Sequence, residues 1–171
     1  MKTPIKCLLF YKYLNNSRKK ELGFTLIELL VVVIILGILM SVSLPNLIAQ
    51  VGKAREAEAK NALGIVGRAQ QSYHFEHSTF ASNVGQLGLG SNLPNQFYNY
   101  PDADVATSTI ATQRAVAISS DIDRTRDYAI GVYFNNGSFD FNLCESVAIG
   151  QVVEAATVAT DGCTNNGTII Q

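Results

Sequence analysis

The segment from Phe24 to Leu44 constrains the fold more than any other part of the chain. Its 21 residues are almost all apolar, and Glu28 is the only ionisable side chain among them. As a straight helix the segment would be about 31 Å long, which matches a hydrocarbon core of about 30 Å. A charge inside such a helix costs roughly 2.5–3.5 kcal/mol at the membrane centre, so Glu28 is expected to serve a function. The segment therefore predicts a membrane-spanning helix with one functional carboxylate.

The charge distribution around this segment predicts its orientation. Residues 1–23 hold six of the 13 basic side chains and one of the 14 acidic ones. This excess of Lys and Arg predicts a cytoplasmic N-terminus and an exported C-terminal part. The remaining residues carry 7 basic and 13 acidic side chains, a net charge of −6. Such an acidic balance argues against direct nucleic-acid binding, which needs clustered Lys and Arg.

The junction between the basic and the apolar part has a specific pattern. RKK at Arg18–Lys20 is followed by GFTLIE at Gly23–Glu28. From Arg18 to about Ala69 the chain resembles the class III signal and N-terminal helix of type IV pilins and pseudopilins. The resemblance implies that a membrane-embedded prepilin peptidase cuts between Gly23 and Phe24 and then methylates the new amino terminus of Phe24. It also implies that Glu28 is needed for subunit assembly.

The position of Glu28 suggests a physical reason for that role. Cleavage would place a new ammonium group on Phe24, and packed helices would bring it close to Glu28 of another subunit. Pairing offsets the desolvation of both charges, whereas an unpaired Glu28 would stay costly. We therefore expect Glu28 to set the register of assembly. The alternative is that Glu28 only lies at the membrane interface and snorkels.

The chain is expected to have four parts. These are a cleaved leader at 1–23, a transmembrane and polymerisation helix at 24–45, an amphipathic helix at 46–77 and a globular sheet domain at 78–171. Gly37 and Pro45 are expected to weaken the first helix, because Pro45 lacks an N–H and clashes with the preceding turn. The resemblance implies that this stretch can lose helical structure in a filament.

The second helix is predicted from apolar residues that recur at steps of three and four. They predict one apolar face, made by Leu47, Val51, Ala54, Ala62, Ile65, Val66, Ala69 and Tyr73. We expect this helix both to pack on its own domain and to be shared with neighbouring subunits.

Strand patterns follow a loop-like stretch at 78–108. Alternating apolar residues at 128–134 and 138–144 flank Asn135-Asn136-Gly137, which predicts a β-hairpin. Shorter apolar runs predict strands at 115–119 and, as a further option, at 147–154. The fold class is therefore α+β, with a long N-terminal helix packed on a C-terminal antiparallel β-sheet. The pilin resemblance implies the same fold.

The cysteines fit an exported domain. Cys7 would leave with the leader, while Cys144 and Cys163 remain. In an oxidising compartment these two can close a loop of about 20 residues, worth roughly 3 kcal/mol. The alternative is two separate buried thiols.

Two groups of side chains look like metal ligands at first. Four oxygen-bearing residues alternate as in a calcium loop, but without its glycine and its bidentate glutamate: Asp121, Asp123, Thr125 and Asp127. The trio His74, Glu76 and His77 lacks a further ligand at a fixed spacing. We expect no metal, no cofactor and no enzymatic activity, since no nucleophile, phosphate-binding or dinucleotide motif occurs.

The predicted function is that of a pilin. The precursor would be a single-pass inner-membrane protein that joins a homopolymeric or mixed extracellular filament (a fimbrium), with the prepilin peptidase/methyltransferase and the pilus assembly machinery as partners. By resemblance such filaments serve twitching motility, adhesion or DNA uptake. The first alternative is a pseudopilin of a type II secretion system. The second is a membrane-anchored periplasmic binding protein or enzyme, which would need neither Gly23 nor Glu28.

Overall fold

The computed structural model describes residues 23–159, 161–165 and 167–170. The predicted leader lies outside these residues except for Gly23. The chain divides into two compact units, Met1–Ser43 and Leu44–Gln171. Its regular elements are α1 (Leu26–His77), a 3₁₀ turn (Gly90–Asn92), β1 (Tyr98–Asn99), β2 (Val105–Ala106), β3 (Ile110–Ala117), α2 (Ser120–Asp123), β4 (Tyr128–Asn135), β5 (Ser138–Glu145) and β6 (Thr168–Ile169).

The first unit consists, in its described part, of the start of α1. Among the described residues α1 is the helix that is long and apolar enough to cross a membrane, and its most apolar window contains no buried residue. Its many β-branched residues are compatible with a helix in lipid, because a helix satisfies every backbone group internally. The first unit therefore has the properties of a membrane anchor.

Pro45 lies inside α1, close to the start of the second unit. The helix is continuous through this residue, although proline cannot donate the usual backbone hydrogen bond. Gly37 also lies within the helix, and a methyl group added there would meet no atom within 4 Å apart from its chain neighbours and the adjacent helix backbone. The helix-weakening role of both residues stays a prediction.

The second unit is an antiparallel sheet covered by the rest of α1. The strand order is β1-β3-β4-β5-β6, with β2 also paired to β3. The main hydrophobic core lies between the helix and the sheet, where Ala59 and Leu63 pack with Tyr128, Ile130 and Val132. The predicted α+β fold, a long helix on an antiparallel sheet, is confirmed.

The predicted hairpin is the centre of this sheet. β4 and β5 pair from Tyr128 opposite Glu145 to Asn135 opposite Ser138. The turn has positive φ at Asn136 (50°) and Gly137 (86°), which the tight connection between twisted strands requires. The hairpin prediction is therefore confirmed.

β4 is more buried than its alternating sequence predicts. Tyr128, Ile130 and Val132 face the helix, but Ala129, Gly131 and Tyr133 are buried as well. The chain after β5 causes this, since it crosses the opposite face of the sheet. There the Tyr133 hydroxyl donates to the carbonyl oxygen of Ala156 at 2.6 Å.

The prediction of a further strand at 147–154 is wrong. This stretch is irregular and turns at Gly150, whose φ is 74°. Val153 then packs with Ala129 and Cys144 on the outer face of the sheet instead of pairing at an edge. The edge of β5 is taken by β6, in which Ile169 is opposite Cys144.

The predicted strand at 115–119 is in the right place but too short. β3 begins five residues earlier, at Ile110, and ends at Ala117. Its first half contains Thr112 and Gln113, which are polar and yet buried. The apolar run begins only after these two polar residues. It therefore does not predict the first half of β3.

The predicted apolar face of the second helical segment is buried only in part, and its sharing with neighbouring subunits stays a prediction. Of its members, Ala62 and Val66 are buried, whereas Leu47, Val51 and Ile65 are between 43% and 56% exposed. Leu63 and Val66 are the larger apolar members of the buried set, and the others are small or polar: Gly52, Ala59, Ala62, Gly67, Gln70 and His74. The helix uses small residues because it lies very close to the sheet, which leaves its larger apolar side chains outside.

Candidate assembly site

The expected cleavage site precedes the helix. Gly23, Phe24 and Thr25 are not helical, and all three are exposed. The side chain of Phe24 is 79% exposed. A peptidase needs an accessible, non-helical backbone at the bond that it cuts, and the bond between Gly23 and Phe24 meets both conditions. Cleavage and methylation at this bond stay predictions.

Glu28 lies in the first turn of α1. Its backbone N–H donates to Thr25 Oγ1 at 3.3 Å, and the Leu29 N–H donates to the Thr25 carbonyl at 3.2 Å. Thr25 is thus the N-terminal cap, and Thr25-x-x-Glu28 is the sequence of a capping box. This capping box is readable from the sequence but was not predicted.

The capping position gives Glu28 a local role besides the expected one in assembly. A carboxylate in the first turn interacts favourably with the positive end of the helix dipole. In the described part of the chain no ion pair involves Glu28. The arrangement leaves its carboxylate available to a cation from another subunit, and its role in assembly stays a prediction.

Exposed apolar side chains continue along α1 into the second unit. Leu47, Ile48, Val51 and Ile65 are all exposed on the helix. We call these four residues the helix outer face. Single exposed apolar residues are common, but a series of them on a helix indicates a surface that another protein can cover.

The two cysteines expected to pair form a disulfide. Cys144 is buried on β5, and Cys163 lies in the segment that follows the outer face of the sheet. Ala129, Val153 and Ala155 surround the bond. The disulfide therefore attaches the C-terminal segment to the sheet.

The acidic residues considered as a calcium loop have other partners. The carboxylate of Asp123 pairs with Arg55 on α1, and Asp127 Oδ1 accepts the Ala117 N–H at 2.9 Å. No group of three or more His, Cys, Asp or Glu side chains suited to a metal occurs within the described residues. Asp123 and Asp127 instead hold this part of the chain against the helix and β3.

The two histidines of the other group considered as metal ligands have different surroundings. His74 is buried, and its Nε2 donates to the carbonyl oxygen of Ser108 at 2.8 Å. Its ring packs among Phe80, Phe134 and Phe139. His77 is exposed and stacks on Tyr73 with 4.0 Å between the ring centroids.

Burial alters the acidity of several groups near the core. It raises the pKa of Tyr98 and Tyr128, an effect that the nearby Glu56 increases. It raises the pKa of Tyr100 to about 12. Burial also raises the pKa of Asp127, although the Ala117 N–H and the charge of Arg114 partly counter the rise. All four shifts have burial as their main cause.

Comparisons with known proteins identify two regions. Residues 56–167 match the family model of type IV pilin-like G and H proteins, and residues 18–44 match the prokaryotic N-terminal methylation motif. The second match contains Gly23, Phe24 and Glu28.

Individual relatives include both pilins and secretion proteins. The chain is 35% identical to the type IV major pilin protein PilA of Myxococcus xanthus over 48% of its own length and 36% of that protein. It is 25% identical to the fimbrial protein EcpC of Eikenella corrodens over 77% of its length and 86% of that protein. It is 39% identical to the type II secretion system core protein G of Vibrio cholerae over 38% of its length and 44% of that protein.

These relatives differ in how much of them the chain covers. It spans about a third of the length of the Myxococcus protein and less than half of the Vibrio protein, whereas it spans most of the Eikenella protein. The family model, however, covers more than half of the chain, and its residues include most of the sheet and the part of α1 from residue 56 onward. The chain therefore belongs to the family of type IV pilin-like G and H proteins.

Proposed function

We propose that the chain is a structural subunit of a type IV pilus, processed by a prepilin peptidase and polymerised through α1. The observation that carries this proposal is the exposed apolar surface of α1, which begins in the methylation motif and continues as the helix outer face. In a filament, burial of this surface among like helices would supply roughly 25 cal/mol per Å² of apolar area.

The route to the filament follows from the same segment. The precursor would insert in the inner membrane with its N-terminus in the cytoplasm, because the basic residues precede the apolar segment. Cleavage after Gly23 would free the amino group of Phe24, which would be methylated. Glu28 of one subunit would then pair with the Phe24 ammonium of a neighbour, and the assembly machinery would move the subunit out of the membrane.

A pseudopilin function is the alternative that a specific observation favours. Several relatives are type II secretion system core proteins G, which are 31% to 39% identical to the chain over 38% to 48% of its length. Both functions need cleavage, methylation and a polymerising helix. They differ in whether the product is a surface filament or a short periplasmic structure.

The test is the intact mass and N-terminal sequence of the chain recovered from sheared cell surfaces. The pilus function predicts a chain that begins at methylated Phe24 and is lighter by the hydrogens lost in forming the disulfide. A chain that is cleaved but stays in the membrane fraction would favour the pseudopilin. A chain that keeps its leader would contradict both.

A Gly23→Val variant provides the matched control for this test. A side chain at Gly23 would obstruct the close approach of the peptidase to the bond. We expect this variant to reach the membrane at the normal level but to remain uncleaved and absent from the sheared fraction.

A further inference from the structure

A cavity beside α1 collects most of the positive charge of the chain after the leader. Of the seven basic side chains after residue 23, four line this one cavity of about 450 Å³: Lys53, Lys60, Arg124 and Arg126. The same part of the chain has a net charge of −6. The cavity is therefore a local basic site on an acidic protein.

The acidic residues of the cavity do not neutralise it. Glu145 accepts from Arg126 Nη1 at 2.8 Å, and Glu56 accepts the Arg126 backbone N–H at 3.1 Å. Among the described residues, Lys53, Lys60 and Arg124 form no ion pair. Four cations and two carboxylates leave an excess of positive charge facing the cavity.

Arg124 has a backbone conformation that glycine adopts more easily than arginine. It ends α2 in the left-handed conformation, with φ 52° and ψ 43°, and its N–H donates to the Ser120 carbonyl. Glycine performs this capping without steric cost, so an arginine here is unfavourable for the backbone. A role in binding an anion accounts for the presence of the longer residue.

The position of the cavity points to the membrane. The apolar segment of α1 ends at Leu44, and Ala49, which lines the cavity, lies about 7.5 Å further along the helix. Lys53 lies about 13.5 Å along the helix from Leu44. Side chains on a helix lean toward its N-terminal end, so the Lys53 side chain leans back toward Leu44. The headgroup layer of one leaflet is roughly 5–8 Å thick, so the Lys53 ammonium can reach lipid phosphates.

Exposed isoleucines lie next to the basic site. Ile122 is 82% exposed in the turn that contacts α1, where a methyl group on Gly52 would lie 3.0 Å from the Asp123 carbonyl oxygen. Ile149 is also exposed and lines the cavity. Basic side chains beside exposed apolar ones are typical of surfaces that lie on anionic bilayers.

We propose that this cavity binds the phosphate headgroup of an anionic phospholipid from the bilayer that holds the N-terminal part of α1. Arg124 and Lys53 contact the phosphate, and Ile122 enters the interface beside it. The inference rests on the membrane anchor and does not depend on filament formation.

The experiment uses the full chain in a non-ionic detergent, titrated with phosphatidylglycerol or phosphatidylcholine and analysed by native mass spectrometry. We expect clear preference for phosphatidylglycerol. Replacing Lys53→Gln or Arg124→Gly should weaken its binding about fivefold each, which corresponds to about 1 kcal/mol per basic residue near an anionic surface. Arg68→Gln changes the same charge on an exposed part of α1 away from the cavity and should leave binding unchanged.

The Arg124→Gly variant removes the basic side chain without straining the backbone, so it tests lipid binding without a loss of stability. Because glycine suits the left-handed backbone, this variant should unfold at a temperature no lower than that of the unmodified chain, and its loss of lipid binding would reflect the side chain alone.

Three results would overturn the proposal. One is equal binding of the two lipids, or binding that both variants leave intact. Another is inorganic phosphate displacing the lipid at equal concentration, which would identify a site for free anions. The third is unchanged lipid binding with weaker self-association of the variants, which would identify a contact between copies of the chain.

Discussion

The side-chain amide of Gln70 makes both of its hydrogen bonds with the backbone of Ala81. Gln70 Nε2 donates to the Ala81 carbonyl oxygen at 2.9 Å, and Oε1 accepts the Ala81 N–H at 2.9 Å. Both residues are almost completely buried. The pair holds the chain that leaves α1 against the helix, in the way that a neighbouring strand would.

Replacing Gln70→Ala should therefore destabilise the second unit. Two buried backbone groups would lose their partners, at a cost of roughly 2–4 kcal/mol. Thermal unfolding of the full chain in detergent, followed by the near-ultraviolet circular dichroism of its tyrosines, measures the effect. Gln71→Ala is the matched control, because Gln71 is only half-buried on the same helix. Equal effects of the two changes would contradict the structural role of Gln70.

Gly67 is expected to be coupled to Ile130. A methyl group on Gly67 would lie 2.8 Å from Ile130 Cδ1, which is too close. Gly67→Ala should therefore not stabilise the unmodified chain, although replacing glycine by alanine within a helix otherwise stabilises the fold by about 1 kcal/mol. In an Ile130→Val background, which lacks Cδ1, the same change should stabilise by about that amount.

A double-mutant cycle of unfolding free energies measures this coupling. Gly64→Ala is the control, since its methyl group would have the Arg68 guanidinium, 3.9 Å away, as its nearest contact. Additive effects of Gly67→Ala and Ile130→Val would show that the sheet adjusts to the extra methyl group.

Asp127 should make stability depend on pH. Its pKa is raised in the fold, mainly by burial, so its ionisation is less favourable in the folded chain than in the unfolded chain. Its contribution is fully present below the unfolded pKa of about 3.9 and is lost as the pH rises through the folded value. Asp127→Asn should thus gain stability relative to the unmodified chain as the pH increases from 3 to 7.

Unfolding free energies of the two proteins at each pH test this prediction. The asparagine keeps an oxygen that can accept the Ala117 N–H. Asp140→Asn, at an exposed position, should show no such trend. A difference between Asp127→Asn and the unmodified chain that stays constant over this range would argue against the prediction.

The disulfide is expected to stabilise the second unit substantially. It joins residues 19 positions apart, and a loop of that size is worth about 3 kcal/mol in the chain-entropy model. A Cys144→Ser, Cys163→Ser variant should lose this amount in denaturant titrations. The unmodified chain under reducing conditions should behave like the variant, and the variant itself should not respond to reductant.

Glu28→Gln isolates the charge of Glu28 from its position in the capping box. Glutamine suits the capping box as well as glutamate does, so the start of α1 should be preserved. We expect normal insertion and cleavage but at least tenfold less sheared filament, because a buried Phe24 ammonium without its partner costs roughly 3–5 kcal/mol. Glu58→Gln, at an exposed site of the same helix, is the control. Filament yield equal to that of the control would remove Glu28 from the assembly mechanism.

The sequence predicted the parts of the fold that depend on local signals. The hairpin is one, since Asn136 and Gly137 specify the turn and the flanking alternation specifies the strands. The first half of β3 could not be recognised in the same way. Its buried polar residues bond to the loop that precedes the strand: Thr112 Oγ1 accepts the Val105 N–H at 3.1 Å, and Gln113 Nε2 donates to the Pro101 carbonyl.

The face that α1 presents to the sheet was also hidden from the sequence. Apolar periodicity assigns large side chains to the core, but here Gly52, Gly67 and Gln70 are buried, and only Gly67 lies against a strand. The larger residues of the helix outer face stay exposed because, in the proposed function, they are covered by other subunits. In the proposed function, some apolar residues of α1 contact their own domain and others contact neighbouring subunits. The sequence of one chain does not show which residues make which contacts. The capping box at Thr25 and Glu28, by contrast, was readable and was overlooked.

The pairing of β6 with β5 has a consequence for the order of events in the cell. β6 has two residues, too few to hold an edge by themselves, and Cys163 tethers it five residues before its start. Until the bond to Cys144 forms, the backbone of β5 around Glu145 is an open edge to which a foreign strand can add. In the proposed route, oxidation after export would act as a checkpoint, because a subunit with an open sheet edge would aggregate through β5 instead of assembling through α1.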